Sequence, residues 1–320
     1  MRNIIRIIAP SNTMSDLSSE LIEIGIKRLE SLGFNIQFGK HANNKFLHMS
    51  GTVKQRLEDL EAAFSDPMVC GVMAVFGGYN TSDLLGGLSK LSTSTNKWII
   101  GYSDITALLL PLINHFNIQV IHGPGFASFC DPNFFSYSSN AFLDAIKGKQ
   151  AIYKSPDFFS SDKWYLRDKY GPRVIHQPCK WHVYSAGKVL APIIGGNLDT
   201  LCTLIGTPYF PEMKGKILFL EETTGNPGPF QRGLIQLRHL GVLDKIAGLI
   251  IGKFPVDSAV NDIHFLTSLI STLNLPKYPV LLNVHCSHVD PMLSIPLNKL
   301  AKLVAVDQPY LVLNYTESAI

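Results

Sequence analysis

Trp98-Ile-Ile-Gly-Tyr-Ser-Asp-Ile-Thr-Ala-Leu-Leu-Leu-Pro-Leu-Ile-Asn-His-Phe116 reads as a short buried strand that turns abruptly into an apolar-faced helix, with Ser103 at the turn. A serine held there has its hydroxyl pushed out of the sheet, beside the unpaired N–H groups of the helix's first turn, where negative charge is stabilised. That is where an acyl-transfer nucleophile sits. Gly101 permits the tight approach. Asp104 brings a helix-start carboxylate and a backbone N–H available to an oxyanion. A plain Ser/Asp helix cap after a strand has the same local sequence, so the segment speaks to fold class before it speaks to chemistry.

Upstream, apolar runs alternate with amphipathic stretches: Ile4 to Ala9, a helix from Asp16 to Leu32, Asn35 to Phe38, a helix from Thr52 to Ser65, Gly71 to Phe76, then a helix from Ser82 to Leu91. Such alternation implies parallel strands joined by crossover helices, with binding groups gathered at the strands' carboxyl ends. Ser103 falls at one such end, and Gly77-Gly78-Tyr79-Asn80 at another. From about Gly148 the texture becomes polar and aromatic with little periodicity, through Pro156, Trp164, Tyr165 and Gly171-Pro172. Beyond it come strands at Trp181 to Tyr184, Gly187 to Ile194, Lys216 to Leu220, Gly248 to Ile251 and Pro279 to Leu282, and helices at Leu198 to Ile205, Phe230 to Leu240 and Asn261 to Leu273. The expectation is an α/β protein: an N-terminal parallel-sheet α/β domain (1–150) with the nucleophile, a connecting segment (151–180), and a C-terminal mixed α/β domain (181–320).

The 320 residues, 46% hydrophobic and 17% charged, suffice for two cores and exclude disorder. A net charge of +3 with scattered Lys and Arg gives no basic stripe for nucleic acid. The apolar run in the first eleven residues is too short, and too interrupted by Arg6, for a signal peptide or membrane span. Cys70, Cys130, Cys179, Cys202 and Cys286 are odd in number, widely separated and without a CxxC pair, which suggests neither a disulfide framework nor a zinc site. A reducing cytoplasm, a small-molecule or peptide substrate, and no metal, cofactor or membrane partner are expected.

A serine nucleophile needs a base, and the base needs an orienting acid. The apolar strand Lys216-Ile-Leu-Phe-Leu ends in Glu221 and Glu222, where an open α/β sheet offers a catalytic acid. Alternation puts the two on opposite faces of a strand buried on both, so periodicity does not choose between them. For the base, His288 lies in the loop after the strand Pro279 to Leu282, with His285 three residues earlier. Neither has an acidic companion at metal-ligand spacing, so a single general base is the simpler use.

Taken in order, Ala9-Pro10-Ser11, Phe76-Gly-Gly-Tyr79, Gly101-Tyr-Ser-Asp-Ile-Thr106, Gly195-Gly-Asn-Leu198, Leu220-Glu221-Glu222 and Ser287-His288 resemble the LD-carboxypeptidase family of serine peptidases over essentially the whole chain. The resemblance implies a Ser, Glu, His triad at Ser103, Glu221 and His288, an oxyanion hole from the N–H groups of Gly78 and Asp104, and a homodimer. The family has Gly before its histidine, where this chain has Ser287. Murein-cleaving relatives read Gly-Gly-Tyr-Gly-x-x-Arg, whereas here Asn80 and Asp83 stand at the Gly and Arg positions. In this the chain is similar to the microcin C immunity branch, which hydrolyses the amide joining a peptide or amino acid to a sulfamoyl adenylate. Gly77, Asn80, Trp164 and Trp181 are then expected to contact substrate, with a tryptophan stacking on adenine.

The leading expectation is therefore hydrolysis of a carboxyl-side amide in a small peptide or peptidyl-nucleotide, with murein tetrapeptide L,D-carboxypeptidase activity as the alternative. A dinucleotide-dependent oxidoreductase is disfavoured because Ala9-Pro10-Ser11 stands where Gly-x-Gly-x-x-Gly belongs. A non-catalytic two-lobed binding protein would need neither Ser103 nor His288.

Overall fold

The computed structural model describes residues 2–91, 95–115, 117–166, 171–223 and 225–317. The chain forms two compact units, Met1–Phe134 with Trp164–Tyr170, and Phe135–Lys163 with Gly171–Ile320.

The first unit contains β1 (Ile4–Ile8), α1 (Ser19–Ser31), β2 (Asn35–Phe38), α2 (Val53–Ser65), β3 (Val69–Ala74), β4 (Lys97–Gly101), α3 (Thr106–Leu112), β5 (Ile118–His122) and the short α4 (Phe126–Phe129). Its strands lie in the order β5-β4-β3-β1-β2, and every pairing is parallel. Ile5, Ile7, Val72, Met73, Ile100 and Ile121 are fully buried, each worth about 1.5–3 kcal/mol against exposure. Ser18 caps α1, and Thr52 with Gln55 forms a capping box on α2. Chain direction across the sheet reverses between β1 and β3, which makes that pair the switch point where α/β proteins open a crevice. The segments after β1, β3 and β4 carry Ser11, Gly77 and Ser103 respectively. The stretch expected as an α-helix from Ser82 is instead a 3-10 helix, Thr81–Lys90. The Gly86-Gly87 pair inside it weakens α-helix formation.

The second unit contains α5 (Ser136–Ile146), β6 (Ala151–Lys154), β7 (His182–Ser185), β8 (Gly187–Asn197), α6 (Leu198–Thr203), β9 (Ile217–Glu221), α7 (Pro227–His239), β10 (Gly248–Gly252), α8 (Ile263–Ser271), β11 (Val280–Val284), the two-residue β12 (Ile295–Pro296), β13 (Leu300–Ala305) and β14 (Tyr310–Leu313). Its eight-stranded sheet runs β6-β14-β13-β8-β9-β10-β11-β7. The central β8, β9, β10 and β11 are parallel, and the flanking pairs are antiparallel. The sheet is thus mixed, and Glu221, Lys253 and the His288 loop lie at the carboxyl ends of adjacent parallel strands.

The compact units divide at Phe134, whereas the sequence suggested 150. The cause is pairing that local periodicity does not carry: β6 adds to the sheet edge through β14, and α5 goes with it. Part of the segment expected to be a connection is also built into the second unit. Phe159 pairs with His176 and Ser160 with Asp290.

Candidate active site

In the first unit, Ser103 has φ +61, a left-handed conformation uncommon for a residue with a Cβ and costing about 1–3 kcal/mol. The strand feeding it is buried throughout, and a 3-10 turn leads directly into α3. The side chain of Ser103 thus sits on a strained strand-to-helix turn.

Gly77 lies against that hydroxyl. A Cβ on Gly77 would stand 2.8 Å from Ser103 Cβ, 3.0 Å from its Oγ and 3.2 Å from the Asp104 nitrogen. Gly78, at φ +151, leaves no room for a side chain because Ser11 and Asn12 occupy the place. The Gly77 carbonyl accepts from the Asn12 N–H at 3.2 Å. Because a trans peptide points its C=O and N–H oppositely, the Gly78 N–H is aimed away from Asn12.

The Asp104 carboxylate fixes this loop. Its Oδ2 accepts from Ser11 Oγ (2.6 Å), Asn80 N (2.9 Å), Thr81 N (2.9 Å) and Thr81 Oγ1 (2.7 Å). Hydrogen bonds to a charged acceptor are the strong ones, so one side chain ties the segments after β1 and β3 to the Ser103 turn. From α2, the fully buried Arg56 donates to the carbonyls of Pro10 (2.7 Å) and Asn80 (2.9 Å) and pairs with Asp83 at 3.1 Å. Asp83, at the position compared above with the Arg of murein-cleaving relatives, is therefore the partner of a structural arginine. Ser11, Arg56 and the side-chain role of Asp104 were not evident from the sequence, since each bond spans a large chain separation.

In the second unit, His288 Nδ1 lies 2.8 Å from Glu221 Oε2; the Glu221 side chain is fully buried and that of His288 is 18% exposed. Burial draws the His288 pKa down, but the charge and hydrogen bond of Glu221, joined by the charge of Glu222, outweigh it and leave the imidazole above its ordinary value. With Nδ1 engaged by the carboxylate, Nε2 is the nitrogen left to exchange a proton.

Glu222 goes elsewhere. It accepts from Asn197 Nδ2, the Asp199 N–H and the Thr223 N–H, at the N-terminus of α6, whose cap is Asn197. Burial and the neighbouring Glu221 charge push its carboxyl up. The choice that strand alternation left open is thus made by geometry: Glu221 faces the histidine. The Gly195-Gly196-Asn197 stretch completes β8, and Asn197 caps the helix that follows.

His285 is fully buried and takes the Trp181 indole N–H on Nδ1 at 3.1 Å. Burial, aided by the positive Lys253, lowers its pKa to about 3, so it is a neutral core side chain. Ser287, in place of the family glycine, donates its hydroxyl to the Lys253 carbonyl and pins the His288 loop to the end of β10. On its other side Arg173, with its side chain 3% exposed, bridges Asp162 at 2.6 Å and Asp290 at 2.9 Å. Ser160 and Asp290 exchange backbone hydrogen bonds of 2.8 Å. The segment read from sequence as a connection is in this part a brace for the histidine loop.

The expected aromatic platforms are placed differently from expectation. Trp181 is 4% exposed with its N–H spent on His285, and Trp164 is 8% exposed, edge-on to Tyr165 at 5.8 Å. Both rings are buried, and that of Trp181 has its N–H satisfied inside the protein. Asn80 contributes its backbone to the Asp104 network and its side-chain oxygen to His48 Nε2 at 3.1 Å. Among the described residues no cluster of three or more His, Cys, Asp or Glu could hold a metal ion, and no helix is long and apolar enough to cross a membrane.

Residues 5–123 match the LD-carboxypeptidase N-terminal domain and residues 191–303 its C-terminal domain. The chain belongs to the LD-carboxypeptidase family. Among its relatives in this family is the putative carboxypeptidase YocD of Bacillus subtilis, 31% identical over 313 residues, 94% of this chain and 93% of the relative. The microcin C7 self-immunity protein MccF of Escherichia coli is 31% identical over 304 residues, covering 90% and 88% of the two chains. A probable murein peptide carboxypeptidase of B. subtilis is 28% identical over 250 residues, 78% of this chain and 71% of the relative. Of solved structures, an MccF-like protein from Bacillus anthracis superposes with a TM-score of 0.89 at 29% identity, covering 97% of this chain and 96% of that one. MccF in complex with aspartyl sulfamoyl adenosine superposes at 0.88 with 25% identity, covering 99% and 97%.

Proposed function

We propose that this LD-carboxypeptidase family member is a serine peptidase that hydrolyses the carboxyl-side amide of a small peptidyl or aminoacyl nucleotide, with Ser103 as nucleophile, His288 as base and Glu221 as orienting acid. The observation that carries the reading is the left-handed Ser103 turn, with Gly77 packed against its hydroxyl. Backbone strain of this kind persists only where the surroundings enforce it, and the Asp104 network is such an enforcement.

In this mechanism His288 Nε2 accepts the Ser103 hydroxyl proton as Oγ attacks the substrate carbonyl, and Glu221 stabilises the imidazolium that forms. The Gly78 and Asp104 N–H groups receive the developing oxyanion. The imidazolium then protonates the departing nitrogen, the amide C–N bond breaks, and water resolves the acyl-serine by the reverse proton path.

Support for a nucleotide-bearing substrate comes from the Gly77 to Asp83 loop. Asp83 and Arg56 neutralise each other there, so the loop offers no free cation where murein-cleaving relatives carry Arg. The murein peptide carboxypeptidase relative supports the second reading, L,D-cleavage of a murein tetrapeptide by the same three residues. Incubating the protein separately with an aminoacyl sulfamoyl adenosine and with a murein L,D-tetrapeptide, followed by mass spectrometry, tests both. Cleavage of the former in preference to the latter is expected; cleavage of the tetrapeptide alone gives precedence to the second reading, and cleavage of neither rejects both.

A further inference from the structure

We propose that Arg56 is a positioning residue for the proposed oxyanion donor Gly78, a buried guanidinium from α2 that staples together the segments after β1 and β3; this rests on the peptidase reading above. The Arg56 side chain is wholly shielded from solvent. Its Nη1 donates to the Pro10 carbonyl at 2.7 Å and to the Asn80 carbonyl at 2.9 Å, so a single nitrogen joins the two segments. Its Nη2 turns to Asp83 Oδ2 at 3.1 Å and to Met49 Sδ at 3.5 Å.

Stability alone does not call for such a residue. Burying a charge is costly unless it is paired and fully hydrogen-bonded, and an apolar side chain of similar volume fills the same space without that cost. Here the pairing is incomplete: the Asp83 side chain is 46% exposed, and the buried Nε has no hydrogen-bond partner among the described residues. Two of the bonds go instead to main-chain carbonyls outside any strand, where no sheet ladder fixes the backbone. What the arrangement secures is the spacing between two loops.

Those loops flank the switch point of the first sheet, and Gly78 lies in one of them, two residues before Asn80. Asn80 is gripped at both main-chain polar groups, its carbonyl by Arg56 and its N–H by Asp104 at 2.9 Å. Two residues after Pro10, the Asn12 N–H meets the Gly77 carbonyl at 3.2 Å. The approach to α2 adds to the hold: the Ser50 N–H donates to the Ser11 carbonyl at 3.0 Å, the Ser50 hydroxyl to the Ala9 carbonyl, and His48 Nε2 lies 3.1 Å from Asn80 Oδ1. Releasing Arg56 frees the loops to part and carries the Gly78 N–H with them. Since an oxyanion donor is engaged as charge develops in the transition state, the loss falls on kcat rather than on substrate binding.

The test uses the full chain with Arg56→Met, an apolar replacement, and Arg56→Lys, which keeps the charge but not the planar fork. Two readouts are taken: hydrogen–deuterium exchange by mass spectrometry without substrate, and kcat and KM for whichever of aspartyl sulfamoyl adenosine and a murein tetrapeptide the wild type cleaves. The Asn12, Asn80 and Thr81 amides are hydrogen-bonded in the two loops. Loss of the staple predicts exchange roughly ten- to a hundredfold faster in peptides covering residues 9–13 and 76–84 of Arg56→Met, with that of β5 unchanged. The kcat of Arg56→Met should fall on the order of a hundredfold with KM within about threefold of wild type, and Arg56→Lys should lie between the two. Wild-type exchange in both loops, kcat within about threefold of wild type, or a loss confined to KM would each overturn the proposal. If Arg56→Met unfolds, Arg56→Lys is judged by the same criteria. A wild type that cleaves neither amide would sink the peptidase reading, while the exchange measurement still decides whether Arg56 holds the loops.

Discussion

Replacing Gly77 by alanine puts a methyl group against the hydroxyl of Ser103, the proposed nucleophile. Its carbon would lie 2.8 Å from Ser103 Cβ and 3.0 Å from Oγ, where unstrained carbon contacts need about 3.5–4.0 Å. Something must move by close to 1 Å. The loop cannot retreat freely, because the Gly77 carbonyl is held by Asn12 and the following residues by Asp104, so the displacement falls on Ser103 or on the oxyanion donors. A misplacement of about 1 Å costs on the order of a hundredfold, and loss of one oxyanion donor about 10²–10³ in kcat, or roughly 2.7–4 kcal/mol. We expect kcat/KM to fall by about 10²–10³. Overpacking should lower stability by about 1–3 kcal/mol, which leaves the chain folded. Gly86→Ala is the control, since a Cβ there meets nothing within 4 Å. The assay is steady-state hydrolysis of the preferred amide, with thermal melts of all three proteins. A Gly77→Ala enzyme within threefold of wild type would refute the placement of Gly77 against the reacting hydroxyl.

Glu221→Gln should reduce kcat by about 10³–10⁴, the scale set by loss of an orienting carboxylate in a serine triad, with circular dichroism confirming the fold. Because His288 must be neutral to act as base and its pKa is held above the ordinary value, the acid limb of kcat/KM against pH should lie above the usual histidine range of about 6.5. Glu222→Gln removes one of the raising charges, so the limb should move toward lower pH; a shift upward, or none, would contradict the assignment. His285→Ala should leave the Trp181 N–H unpaired and cost about 1–3 kcal/mol of stability while the folded enzyme retains most of its turnover, whereas His288→Ala should be nearly inactive; the reverse ranking in turnover assays would exchange their roles.

What the sequence made legible was local. Strand-to-helix alternation and the Ser103 turn were readable because each depends on neighbouring residues, and the strands after Lys216 and Gly248 came within a residue or so of their observed bounds. Choosing between Glu221 and Glu222 from residues alone failed because both faces of the strand they end are buried and look alike, and only pairing across sixty-odd positions with His288 separates them. The same holds for Asp104 with Ser11 and for Arg173 with Asp290. The antiparallel strands β6, β14 and β13, which form one side of the second sheet, were missed because antiparallel pairing imposes no long apolar run. Trp164 and Trp181 suggested stacking by residue type, but burial is decided by tertiary packing, which also leaves Tyr79 exposed.

The central claim is that Ser103 carries the acyl group, and rapid-quench intact-mass analysis of wild type and Ser103→Ala with an aminoacyl sulfamoyl adenosine tests it most directly. The account predicts a transient adduct of the aminoacyl mass mapping to the Ser103 peptide in wild type, none in Ser103→Ala, and a fall in turnover of at least roughly a thousandfold. Near-normal turnover by Ser103→Ala, or an adduct on another residue, would contradict it.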